Sequence, residues 1–211
     1  FKNGFIQSEI KLSADRNRKN YSSRKTNILG VTNFPNMNEK KTGKIDDALF
    51  NPKDLSSEES DTETLKPFRY AQPFEYIRYK TDLYSLKGKR PSVFILPVGN
   101  VEMRRARAQF SINFFAVAGF EVTDHNGFDS INEGVVAARE KNADIIVLCS
   151  SDDEYAVTAP QLQELLGNEI LVVAGNPAGR PDLEEKGIRN FIHIRSNITE
   201  ELSRYQNLLT N

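Results

Sequence analysis

The sequence predicts an α/β fold: a doubly wound parallel sheet of five strands with helices on both faces, preceded by an N-terminal arm. Three observations carry this. From about Arg90 onward, apolar runs of strand length alternate with segments of helical period. The runs are apolar on consecutive rather than alternate residues, which marks strands covered on both faces and paired in parallel. Five such units in about 120 residues match the flavodoxin-like size class.

The strand candidates are 92–96 ("SVFIL"), 120–122 ("FEV"), 144–150 ("DIIVLCS"), 169–175 ("EILVVAG") and 191–194 ("FIHI"). The helix candidates are 102–118, 129–141, 158–166, 181–187 and 198–209. In the first of these, Ala106, Phe110, Phe114 and Val117 recur at helical spacing as an expected apolar stripe, and Gly119 ends the helix. Asp129 and Ser130 stand as caps before "INEGVVAARE", and Gly167 closes "AVTAPQLQELLG". "AGNPAGRPDL" reads as a loop after the fourth strand, with Pro181 in the first turn of the next helix.

The first 90 residues have a different grammar. "KNGFIQSEIKLSADRNRKNYSSRK" is charged and helical in pattern, and "NILGVTNFP" reads as a short strand closed by a turn. Residues 38–65 are polar and acid-rich, with too few large apolar groups to fold alone, and are expected to be a linker or wrapping segment. The next stretch along the chain is dense in aromatics: Phe68, Tyr70, Phe74, Tyr76, Tyr79 and Tyr84. Aromatic surface on that scale packs on something, either the chain's own α/β unit or a partner.

Composition narrows the function. The 211 residues carry 27% charged side chains and a formal net charge of −1, so neither nucleic acid nor an anionic membrane is an expected partner. The longest apolar runs are about 5–7 residues, far short of the roughly 18 that a membrane helix needs. No secretory leader is legible, and the opening at Phe1 suggests a fragment of a longer polypeptide. A lone cysteine, Cys149, excludes an internal disulfide and fits a reducing, cytoplasmic setting; its strand-like surroundings make it a buried small hydrophobe.

In a doubly wound sheet, ligands bind at the carboxyl ends of the strands. Those ends are "PVGNVEMRR" (97–105), "SSDDEY" (150–155), "AGNPAGR" (174–180) and "RSN" (195–197). The first carries Val, Met and two Arg where a cofactor loop would carry Gly, Asp or His. "RPSVFILPVGNVEMRRARAQFSINFFAVAGFEV" with "INEGVVAAREKNADIIVLCSSDDEYA" resembles the C-terminal cobalamin-binding domain of the methylmalonyl-CoA mutase family. "FEYIR" and "NILGVTNFPN" resemble the segment that joins the family's acyl-CoA-binding barrel to that domain. The resemblance runs from about residue 1 to 209 and points within the family to the small, β-type subunits of heterodimeric bacterial members.

The resemblance implies a cobalamin-binding-type domain at 90–211, a linker and wrapping segment at 38–89, and the end of a barrel-type domain or an arm at 1–37. Family members that bind cobalamin carry D-x-H-x-x-G after the first strand. There the His ligates cobalt, the Asp orients the imidazole and the Gly admits the corrin tail. Aligned on Gly99, these positions fall on Val101, Met103 and Ala106. The family's Ser-x-Leu keeps Ser150 but has Asp152 for Leu; its Gly-Gly becomes Ala174-Gly175, and its Pro-Gly becomes Arg195-Ser196. The degenerate pocket positions are therefore Gly99, Val101, Met103, Ala106, Ser150 and Gly175.

By this resemblance the chain is expected to be an isomerase subunit region with no catalytic or metal-ligating residue and no cofactor of its own. Adenosylcobalamin and the active site for methylmalonyl-CoA/succinyl-CoA isomerisation would sit in a large (alpha) partner subunit. The alternatives are a cobalamin-binding module, base-on or ligated by the Met103 thioether, and a flavodoxin-like module for FMN or another small ligand.

Other chemistry is thin. Arg104, Arg105 and Arg107 near a helix N-terminus read as an anion site or as solvated or interface ion pairs. Asp152, Asp153 and Glu154 read as a metal or phosphoacceptor site, or as a solvated loop of capping carboxylates. A receiver-type site would need acids where Gly99-Asn100 stand and a lysine where Arg195-Ser196 stand. His125 and His193 have no nucleophile or carboxylate at readable spacing and are expected to be structural. The sequence holds no P-loop, G-x-G-x-x-G, C-x-x-C or H-E-x-x-H.

Overall fold

A computed structural model describes residues 3–39, 65 and 69–210. The linker expected at 38–65 lies outside the described residues except at its ends, as does Phe68. The α/β unit consists of β1 (Ser92–Pro97), β2 (Glu121–Thr123), β3 (Ile145–Cys149), β4 (Ile170–Ala174) and β5 (Phe191–Ile192), in the order β2-β1-β3-β4-β5. Every pairing is parallel; Phe94 stands beside Ile146, and Val173 beside Phe191.

Consecutive burial in the strands has a two-sided cause. Ile145, Val147 and Cys149 of β3 join one hydrophobic cluster, while Ile146 and Leu148 join the other. The first cluster is capped by α3 (Val101–Ala116) and α7 (Ile198–Thr210); the second by α4 (Ile131–Glu140), α5 (Tyr155–Leu165) and α6 (Arg180–Glu185). A side-chain period of two puts successive residues on opposite faces, and helices dry both.

The helix signals are largely met. Ser130 caps α4 by accepting the Glu133 N–H at 3.3 Å, and Pro181 lies in the first turn of α6. Gly119 has φ +70° after α3. The stripe expected on α3 is met at Phe114 and Val117, both buried, and at Phe110, half-buried against the same cluster, but not at Ala106, which is exposed; Ala108, Ser111, Ile112, Phe115 and Ala116 widen the buried side. The face that meets the sheet is set by the register of the two pieces, which the aromatic spacing alone does not specify. Helix α5 begins at Tyr155, three residues before the expected start, because the Tyr155 side chain is fully buried and draws the chain into its first turn. Pro160 consequently falls inside the helix.

Toward the N-terminus, α1 (Phe5–Ser22) is the expected charged helix. The strand expected in "NILGVTNFP" is instead a turn with a single bridge between Leu29 and Asn33. Thr32 N–H donates to the Ile28 carbonyl at 2.9 Å, and Gly30 sits at φ +79°, which coils the chain out of an extended path. The aromatic-rich stretch contains α2 (Gln72–Ser85). Phe74 and Ile77 enter the same cluster as Leu202 and Tyr205 of α7. The buried Gln206 amide donates at 2.8 Å to both the Ile77 carbonyl and the Thr81 hydroxyl. The aromatics divide: Phe74 and Tyr79 pack inward, whereas Tyr70 and Tyr76 stay exposed.

Candidate functional site

The chain leaves β1 for β2 on one side and returns to β3 on the other. The switch-point crevice therefore opens between the loops after β1 and β3, with the loop after β4 beside them. At the end of β1, Val98 N–H donates to the Cys149 carbonyl at 3.0 Å and Gly99 turns the chain at φ +75°. Asn100 then caps α3, its side chain accepting the Met103 N–H at 3.0 Å.

Glu154 reaches into this turn from the β3 loop. Its carboxylate accepts from Asn100 N–H at 3.1 and 3.2 Å, from Ser151 N–H at 3.0 Å, from the Ser151 hydroxyl at 2.7 Å, and from the Ser150 hydroxyl. The Ser150 hydroxyl foremost, with the Ser151 and Asn100 donors, holds the carboxyl down to about 2 against the opposing cost of desolvation. The fit leaves no room for a side chain at residue 99, where a Cβ would overlap both carboxyl oxygens.

Arg107 closes the other side. From the second turn of α3 its guanidinium donates to the Ala174 carbonyl at 2.9 Å and to Asp152 at 2.7 Å, and lies 5.0 Å from the centre of the Tyr155 ring. It fills the space over Gly175, where a Cβ would stand 2.5 Å from its nitrogen. Beneath it the Tyr155 hydroxyl donates to Ala174 O at 2.6 Å and accepts the Ser150 N–H at 3.0 Å. Burial pushes this phenol up, so it keeps its proton. Burial likewise pushes Cys149 up to about 12; it is a core thiol, not a nucleophile.

Of the sequence-picked positions, Gly99, Ser150 and Gly175 meet at the crevice. Val101, Met103 and Ala106 lie in the first turns of α3 with exposed side chains, Met103 at 37%. Among the described residues no three His, Cys, Asp or Glu side chains are placed to hold a metal ion. His125 stacks on Phe128 with ring centres 3.9 Å apart, and its Nδ1 accepts the Gly127 N–H. His193 Nδ1 accepts the Arg195 N–H, and burial, then Arg180 and Arg195, lower its pKa. The acidic cluster splits by role, Asp152 pairing with Arg107 and Glu154 joining two loops. In the sequence Glu154 reads as part of a metal or phosphoacceptor site or of a solvated capping loop, and Arg107 as part of an anion site or of solvated or interface ion pairs; only the crossing of loops brings each to the crevice. Ser151-x-x-Glu154, a capping-box spacing, is the one local signal for the Glu154 contact.

No family model matches the chain. Fold and crevice place it in the class of flavodoxin-like α/β domains, here with the ligand crevice packed by the chain's own side chains. Over nearly its whole length the chain is a homologue of proteins named methylmalonyl-CoA mutase small subunit. It is 43% identical over 207 residues to the one from Porphyromonas gingivalis, which covers 95% of this chain and 32% of the relative. It is 27% identical over 216 residues to the probable methylmalonyl-CoA mutase small subunit of Mycobacterium tuberculosis, which covers 98% of this chain and 31% of the relative. The chain thus spans about a third of the length of these relatives. No helix among the described residues is long and apolar enough to cross a membrane.

Proposed function

We propose that this chain is a structural, non-catalytic region of the small subunit of a heterodimeric methylmalonyl-CoA mutase. In this reading the large (alpha) subunit carries adenosylcobalamin and the active site that interconverts methylmalonyl-CoA and succinyl-CoA, and the complex works in the cytoplasm. The names of the relatives support the subunit assignment. The crevice supports the division of labour.

The residues present do not fit a histidine-ligated cobalamin. The position that the resemblance aligns with the histidine holds Met103, a thioether with no carboxylate to orient it, and the Arg107 and Glu154 side chains occupy the crevice between the loops after β1, β3 and β4. The single observation that carries the reading is this filling of the crevice, since replacing the cobalt ligand alone would leave an open groove.

Titration of the chain with hydroxocobalamin and adenosylcobalamin, monitored by visible absorbance and desalting, tests it. The expected outcome is no band shift and no retained colour. A saturable shift overturns the non-binding role and makes Met103 the residue to replace.

A further inference from the structure

Glu154 makes more contacts than a loop carboxylate needs. Donors from two loops converge on it: the Asn100 and Ser151 N–H groups and the Ser150 and Ser151 hydroxyls. The two main-chain N–H groups are donors that a bound anion would otherwise satisfy. Arg107 mirrors it across the crevice: 14% exposed, it covers the end of β4 through the Ala174 carbonyl and fills the space over Gly175. Both side chains use positions where glycine is present to admit something close to the backbone.

We propose that Glu154 and Arg107 are a built-in occupant of the switch-point crevice, a clasp that closes it and orders the loops after β1, β3 and β4. The donor cradle between Asn100, Ser150 and Ser151 is a carboxylate site, and the chain supplies the carboxylate. This rests on the proposed reading that the chain itself holds no cobalamin, and it extends that reading by assigning the loop-ordering role of a ligand to two side chains.

Amide hydrogen exchange on the chain with Glu154→Ala and Arg107→Ala tests the clasp. In Glu154→Ala, exchange at Asn100 and Ser151 rises at least about tenfold while the β3 amides keep their protection. Formate, in place of chloride at equal ionic strength, restores much of the lost protection by entering the vacated cradle. Arg107→Ala raises exchange in residues 174–180 and leaves Asn100 protected. Unchanged exchange at Asn100 and Ser151, or loss that formate does not reverse, overturns the proposal. Should Glu154→Ala fail to fold, Ser151→Ala removes one donor and keeps the carboxylate. The Glu154 titration midpoint, read by carboxyl NMR, then rises from about 2, and an unmoved midpoint overturns the clasp. The cobalamin titration reads a different signal, so failure of the non-binding role and failure of the clasp are told apart.

Discussion

Two parts of this chain are built in opposite ways. In the α/β unit every residue of β1 is buried, and from Val93 to Leu96 the side chains alternate between the two clusters of the core. In α1 only Gln7 and Ala14 of eighteen residues are buried, while Phe5 and Leu12 lie exposed. The α/β unit draws its stability from a sheet dried on both sides. Helix α2 stands between these extremes, held by one face against α7 and by the Gln206 amide. A region whose strands are saturated with apolar contacts tolerates little change. One held by a single face depends on a few named contacts.

The sharpest way to break the contrast is at Phe115, fully buried with ring centres 5.4 Å from Phe114, 5.5 Å from Tyr205 and 6.1 Å from Phe120. Phe115→Ala is expected to cost about 3–5 kcal/mol in urea unfolding. At the α2–α7 seam, Gln206→Ala leaves two buried acceptors without their amide and should cost about 1–3 kcal/mol. Exchange in α2 should rise more than in β3; equal rises would make α2 part of the same cooperative unit as the sheet.

At the crevice, Glu154 supplies a pH test. Its folded pKa of about 2 lies below the ordinary 4.5, so its contribution is full above about 4.5 and is lost as pH falls toward 2. Solvent screening leaves roughly 1 kcal/mol of slope across that window, and Glu154→Gln should flatten it. At the small end, Leu12→Ser at a 60% exposed position should shift unfolding by less than about 0.5 kcal/mol. A larger loss would mean that α1 carries packing in the α/β unit's own style.

The parallel sheet is legible because two-sided burial writes itself into consecutive apolar residues, as in "DIIVLCS", and a reader needs nothing beyond that local run. Ser130 and Pro181 are legible for the same reason: a cap acts within one turn. The residue types of the loop after β1, Met103 among them, are also visible, since a residue type can be read without its surroundings. Where sequence and structure part, local spacing is an incomplete guide. Ala106 fits an apolar stripe by its spacing, yet the sheet does not meet it, and "NILGVTNFP" has the composition of a strand although Gly30 and Thr32 wind it into a turn.

The sequence by itself therefore determined the fold class, the strand runs and the chemical identity of the loop after β1. Only the tertiary structure decided what occupies the crevice. Glu154 bonds Asn100 across 54 residues, and Arg107 bonds Ala174 across 67. Periodicity and capping act over a few residues along the chain. An ion-lined crevice forms only where parallel strands bring remote loop ends to one edge of the sheet.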